Sequence, residues 1–423
     1  MCEAQETMPR PCRPKGACSR CGGRALYVVR DLVMCRPCFL KHIHHRLGRT
    51  MNGPLSGSSR PNVTMRPPAQ PGAALIALSG GAGSMALLDF LAERNYFGVA
   101  GAEYDITRGR VPPVWARAYA VHVAFPDTWA TDGLGAKLRE AAESRGLTYI
   151  EVRAADVYDT ALEERVRAQL DGGVVDSANA NASDNASRLD ALLASVAAAS
   201  RPTLLAHILD ALLGSVAAAL PVSHLLLGET ATREAQRVIA GTAQGRGWSL
   251  PLDLVTLSSQ SVARLRGARE LSAKEAALYC HARGLESFSW RARRGGGIEA
   301  LTERFVATLS ARHPATVGAI TRTASKLQFT GAGNEPRCPL CLRPADPGIA
   351  EWKARASLTA LPGRQGGEKA QAEQLEPLLC YACATTLKGR KAAELPPYVL
   401  AEAAAQRPVS RDEMRAAIAD CLL

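Results

Sequence analysis

Eight of the twelve cysteines fall into four Cys-x2-Cys pairs, two toward each end of the 423-residue chain, and this spacing restricts the fold more than any other feature. A Cys-x2-Cys turn aims two thiolates at one ion, and two such turns complete the tetrahedral shell of a structural zinc. Cys18-x2-Cys21 and Cys35-x2-Cys38 are separated by thirteen residues, and Cys338-x2-Cys341 and Cys380-x2-Cys383 by thirty-eight. Each set is expected to hold one closed zinc site; the alternative is four free thiols. The longer gap is unusual for a ribbon, and "KARASLTALPGRQGGEKAQAEQ" reads as an inserted loop. His42, His44 and His45 follow the first set and are assigned to a basic face rather than to the metal. Met1 to Cys12 has no apolar run of the secretory kind, so a reducing, cytoplasmic compartment is expected, where cysteines hold metals rather than disulfides.

Between the cysteine sets the texture alternates. Residues 1–50 form a basic module, residues 51–72 ("MNGPLSGSSRPNVTMRPPAQPG") a linker rich in Pro, Gly and Ser, and residues 73–330 a core. In that core "ALIALS" (74–79), "YAVHVAF" (119–125), "TYIEV" (148–152) and "HLLLG" (224–228) read as strands. Helical stretches at 134–145, at 157–170 and from about Thr232 separate or follow them. Strands alternating with helices predict an α/β fold, a parallel sheet covered on both faces. Residues 172–200 are a low-complexity insertion whose second half favours helix. After Ser258 the pattern is predicted mostly helical, with a capping box at Ser272-x-x-Glu275 and helices at Leu301–Arg312 and Pro314–Leu327. A second cysteine module at 331–390 and a helical tail at 391–423 complete the chain. Ala211 to Gly228 is the most apolar stretch, but Pro221 and His224 interrupt it, so it is read as a buried helix and strand with no membrane partner.

Ser79-Gly80-Gly81-Ala82-Gly83-Ser84 joins the first core strand to a helix. At such a junction backbone N–H groups can cradle a phosphate, and Ser79, Gly80, Gly81 and Ser84 are the candidate contacts; a plain glycine turn is the alternative. "ALIALSGGAGSMALLDFL" resembles the PP-loop of ATP pyrophosphatases, usually Ser-Gly-Gly-x-Asp-Ser, with Gly83 in place of the Asp. Together with "LLLGETATREAQRVIAGTAQGRGWSLP" (225–251), "RELSAKEAALYCHARGLES" (269–287), "IEALTERFVATLSARHPATVGAITRTASKL" (298–327) and the flanking cysteine pairs, the chain is similar to the cytoplasmic tRNA 2-thiolation protein 2 family. The resemblance implies a PP-loop ATPase-like sheet flanked by zinc ribbons. It also implies a heterodimer with a catalytic thiolation subunit. That pair moves sulfur from a thiocarboxylated ubiquitin-like carrier to uridine 34 of tRNAs for Lys, Glu and Gln.

Two departures from the active relatives bear on mechanism. Glycine at 83 cannot organise Mg²⁺ as a carboxylate would, which leaves ATP binding open. Cys280 is the only cysteine between the two sets, too few to hold a cluster, and is expected to be a buried apolar residue. The expectation is therefore a scaffold or RNA-positioning subunit with no catalytic residue of its own. A self-sufficient ATP-dependent tRNA sulfurtransferase, and a zinc-ribbon nucleic-acid-binding protein with a vestigial core, are the alternatives. The formal charge of +11 is concentrated in residues 1–60, where eleven Lys and Arg face three acids, which suits a polyanionic partner. Further RNA-contact candidates are Trp290, Arg291, Arg293 and Arg294 in "SWRARRGGG", and Arg322 and Lys326, four apart on one helical face.

Overall fold

The computed structural model describes residues 16–52, 72–98, 113–125, 133–170, 182–254, 258–259, 262–288, 296–331, 335–346, 348 and 375–406. Its centre is a six-stranded sheet. Strands β3 (Ala73–Ala77), β4 (Arg117–Ala124), β5 (Thr148–Arg153), β6 (Val222–Leu227) and β8 (Val262–Arg266) are parallel, and the short β7 (Ser258–Ser259) pairs antiparallel with β8 at the edge. The order is β5-β4-β3-β6-β8-β7. Two neighbours of β3 are thus reached by crossovers running in opposite directions, which leaves a crevice at its carboxyl end, where the glycine loop lies.

Strand β3 shows why the sheet is covered twice. Ala74 and Ile76 point into one apolar layer, and Ala73 and Leu75 into the other, because successive side chains alternate. Helices α2 (Ala82–Glu93), α3 (Leu134–Glu143) and α9 (Ala273–Arg283) build the first layer, and α4 (Leu162–Leu170), α5 (Ala182–Ser195) and α6 (Arg201–Ala219) the second. Helix α6 has the length and apolarity of a membrane span, yet Leu204, Ile208, Leu212 and Val216 pack into that second layer. Helix α7 (Ala231–Ala243) carries α10 (Ile298–Arg312) and α11 (Pro314–Ala324) on Ala231, Ala235, Val306 and Val317.

Both cysteine modules belong to these layers. The N-terminal one is a β1–β2 hairpin (Tyr27–Val29, Leu32–Met34) followed by α1 (Arg36–Asn52). Phe39, Ile43, Leu47 and Met51 recur every four residues along α1, so they form one stripe, and all four are at most 1% exposed. They pack with Leu87, Phe90 and Tyr279 of the first layer. The basic-face reading of this helix is corrected in part. His44 and Arg46 are buried, with His44 Nε2 2.9 Å from the Tyr279 hydroxyl and Arg46 2.5 Å from Glu275. Glu275 also closes the capping box with Ser272, so one side chain starts α9 and anchors α1. The C-terminal module, with α12 (Tyr381–Thr386) and α13 (Pro397–Ala405), places Cys338, Leu340, Leu379, Cys383, Leu395 and Val399 in the second layer.

Several predicted boundaries shift. The helix expected over 157–170 is a 3-10 turn at Ala154–Tyr158 followed by α4, because Asp156 accepts the Arg153 amide and starts a turn directly after β5. The region after Ser258 contains strand β8, whose Arg264 and Arg266 hid it from a hydrophobic pattern. Helix α11 ends at Ala324 rather than Leu327.

Candidate metal centres and phosphate loop

The two cysteine sets are built alike. Each begins with a tight knuckle closed by an isolated antiparallel bridge, Ala17 with Arg24 and Arg337 with Pro344. Gly22 N donates to Cys18 O in the first, and Leu342 N to Cys338 O in the second. Each ends with a cysteine just before a helix and one in its first turn: Cys35 and Cys38 on α1, Cys380 and Cys383 on α12. Within each set the four sulfurs lie within 4.8 Å of one another. Cys21 and Cys35 approach to 3.5 Å, and Cys341 and Cys380 to 3.9 Å. A single ion with bonds of about 2.3 Å sets tetrahedral sulfurs about 3.8 Å apart, so both sets fit one ion each. A four-iron cluster would need its cysteine sulfurs spread wider.

Electrostatics support the same fit. Backbone N–H groups of Cys21, Cys35 and Arg20 hold the Cys18 thiol down at about 6, while hydrogen bonding from Cys35 and Cys21 pushes Cys38 up to about 12. Four sulfurs this close cannot all ionise on their own; a divalent cation removes that conflict.

The glycine loop follows β3 at the carboxyl edge of the sheet. Gly80 is left-handed (φ 77°), and its carbonyl accepts the Phe288 amide at 2.8 Å. Ser79 and Ser84, both candidate phosphate contacts, are turned on the loop itself. Gly81 N donates to Ser79 Oγ, Ser84 Oγ donates to Gly81 O at 2.9 Å, and the two hydroxyls lie 3.3 Å apart. Gly83 has no room for any side chain: a Cβ there would stand 2.2 Å from the Gly228 carbonyl oxygen. Gly228, at the end of "LLLG", is confined reciprocally, since its own Cβ would meet Ser84 Cα at 2.3 Å. The missing carboxylate is therefore part of a backbone-to-backbone junction between the loop and the segment after β6. Sequence reading singled out Gly83 but not its partner; a glycine in the first turn of α2 and another directly after β6, the strand beside β3, were the available signal.

Beside the loop, Cys280 is 1% exposed and its thiol donates to Ala82 O at 3.4 Å. Burial pushes that thiol up to about 11, which suits a packed residue rather than a nucleophile. Behind it lies a polar network. Tyr279 OH donates to Asp89 Oδ2 at 2.9 Å, and Arg283 and Arg145 pair with the same carboxylate. Burial works against the Asp89 charge, but these donors outweigh it and hold the carboxyl below its usual range. Arg322 and Lys326 are exposed at the end of α11 and just beyond it. Trp290, Arg291, Arg293 and Arg294 lie outside the described residues.

The fold is similar to that of the U34-tRNA thiolase NcsA from Methanococcus maripaludis, solved with its [4Fe-4S] cluster. The TM-score is 0.51 and the identity 15%, over 83% of this chain and 99% of the other. The family profile "Cytoplasmic tRNA 2-thiolation protein 2" matches residues 297–385. The protein of that name from Schizosaccharomyces pombe is 27% identical over 378 residues, covering 88% of this chain and 93% of its own length. This chain is similar to the cytoplasmic tRNA 2-thiolation protein 2 family over most of its length. Cytoplasmic tRNA 2-thiolation protein 2-A of Xenopus laevis is 30% identical over 249 residues, 48% of each chain. Within this chain, the profile spans α10, α11 and all four C-terminal cysteines.

Proposed function

We propose that this chain is a subunit of the cytoplasmic complex that 2-thiolates the wobble uridine, U34, of tRNA for Lys, Glu and Gln. In this reading it is the scaffold beside a catalytic thiolation subunit that receives sulfur from a thiocarboxylated ubiquitin-like carrier. Similarity to the family carries the biological role. The division of labour rests on the Gly83–Gly228 junction, which leaves the phosphate loop no carboxylate for Mg²⁺ and no space to gain one. Zinc is the ion assigned to both cysteine sets, as four thiolates around one ion are its usual structural shell, with Cys18, Cys21, Cys35 and Cys38 holding one and Cys338, Cys341, Cys380 and Cys383 the other. Exposed Arg322 and Lys326, inside the profile match, are assigned to tRNA phosphate contact.

The test is thiolation of a U34 tRNA by the purified chain with and without the catalytic subunit, both given the carrier and ATP. Product is read by retardation in a mercury-containing gel. The pair is expected to form product and the chain alone none. Robust product from the chain alone would establish a self-sufficient sulfurtransferase instead.

A further inference from the structure

The C-terminal cysteine set meets the sheet across a layer of charge. Arg343 pairs with Asp253 at 2.6 Å, Arg264 with Asp210 at 3.5 Å, and Arg237 and Arg266 share Glu229 at 2.8 and 2.7 Å. Arg246 differs from all of these. Among the described residues no carboxylate lies within ion-pair distance of it, and its Nε is buried with no hydrogen-bond partner. One Nη donates to His207 Nε2, and that same nitrogen lies 3.8 Å from Cys383 Sγ. His207 is 5% exposed, so the contact is shielded from water.

The backbone holds Arg246 there. Gly245 is left-handed (φ 79°), and a Cβ on it would come within 2.7 Å of the Tyr381 ring. Tyr381 opens α12 between Cys380 and Cys383, so the loop bearing Arg246 is pressed against the cysteine helix. Burial works most strongly against its charge, and the groups that favour the charge are the thiols of Cys383 and Cys341, followed by Asp253 and Cys380.

An arginine cannot shed its charge, and a half-buried one needs an anion. Four thiolates around a divalent ion carry a net charge of −2 and supply it. Among the described residues the N-terminal set has no such buried arrangement: Arg20 lies 3.4 Å from His42 in an exposed contact. We propose that Arg246 is a positioning residue of the C-terminal metal centre. Its guanidinium is the counter-charge of the metal–thiolate group, with the His207 ring packed between it and Cys383. The two metal sites are thereby unequal, the C-terminal one tied electrostatically to α6 and α7.

The experiment uses the full chain loaded with zinc and challenged with a chelator, with alkylation of each cysteine followed by peptide mass mapping. Arg246→Met is expected to speed loss of protection at Cys338, Cys341, Cys380 and Cys383 about tenfold or more, the range seen when outer-shell partners of a metal are removed. Cys18, Cys21, Cys35 and Cys38 should keep the wild-type rate. Arg246→Lys keeps the charge and should recover most of the protection. Wild-type rates at the C-terminal set in Arg246→Met overturn the proposal. So does equal acceleration at both sets, which marks a general loss of packing, or a Lys variant as fast as the Met variant. Should Arg246→Met not fold, Arg246→Gln, which keeps a donor without the charge, is read by the same criteria.

Discussion

Replacing Gly83 with Asp restores the carboxylate of an active phosphate loop on paper, yet the structure predicts damage rather than repair. The new Cβ would sit 2.2 Å from Gly228 O and 2.9 Å from Thr230 Cγ2. The first contact is more than an ångström inside the roughly 3.5 Å at which non-bonded atoms rest. The nearer obstacle is backbone, so no rotamer change relieves it, and Gly228 is already the smallest residue. Overpacking of this kind costs about 3 kcal/mol, the upper part of the usual range. For a core of this size that corresponds to a fall in Tm of about 6–12 °C. Gly83→Ala carries the same Cβ without the charge and should lose nearly as much, which separates sterics from electrostatics. Thermal unfolding with and without Mg²⁺-ATP is the assay. A ligand at a hundred times its Kd would return about 2.7 kcal/mol, so regained binding would be visible as a rise in Tm. An Asp variant as stable as wild type, or one stabilised by Mg²⁺-ATP, would refute the idea that the junction has replaced the nucleotide site.

Three further outcomes follow from the packing and the charges. Cys18→Ser should lose the N-terminal metal and also lower the unfolding temperature of the sheet, because α1 shares its core with Phe90 and Tyr279; an unchanged core transition would mean that the two are separable. Glu275→Ala removes half of the α9 capping box and leaves buried Arg46 with Glu270 alone, so it should cost about 3 kcal/mol, read from the shift in denaturant midpoint. Burial opposes the Asp210 charge, but Arg264, Arg343 and Arg237 hold its carboxyl at about 2, below the ordinary 3.8. A carboxylate depressed in the folded state stabilises above its unfolded pKa and loses that contribution as pH falls toward 2. Asp210→Asn should therefore flatten the loss of stability between about pH 4 and pH 2, and an unchanged acid limb would contradict the assignment.

Much of this architecture was legible because it is local. Apolar runs marked β3 to β6, Ser272 and Glu275 marked the start of α9, and cysteine spacing marked two four-sulfur sets. What stayed hidden depends on partners far along the chain. His44 and Arg46 look like solvated residues until Tyr279 and Glu275, more than two hundred positions away, are brought against them. Strand β8 alternates Val262, Arg264 and Arg266, and its arginines are tolerable only because Asp210 and Glu229 meet them. The linker reading of residues 51–72 suggested an independent N-terminal module, whereas the stripe from Phe39 to Met51 makes it a structural layer of the core. Gly83 signalled a lost carboxylate, but only the fold reveals that Gly228 fills the vacated space.

The assignment of the cysteine modules to opposite faces of the sheet also sets a timetable for synthesis. Once residues up to about Leu285 have left the ribosome, every group that lines the α1–α2–α9 face is present, and its metal can close that layer. The other face cannot be finished then, since Leu192, Leu204 and Val216 wait for Leu379, Leu395 and Val399. Through most of the last third of translation the nascent chain carries one sealed side and one bare apolar side. A chain interrupted there would be soluble on one face and adhesive on the other, a client for chaperones until its final cysteine pair arrives.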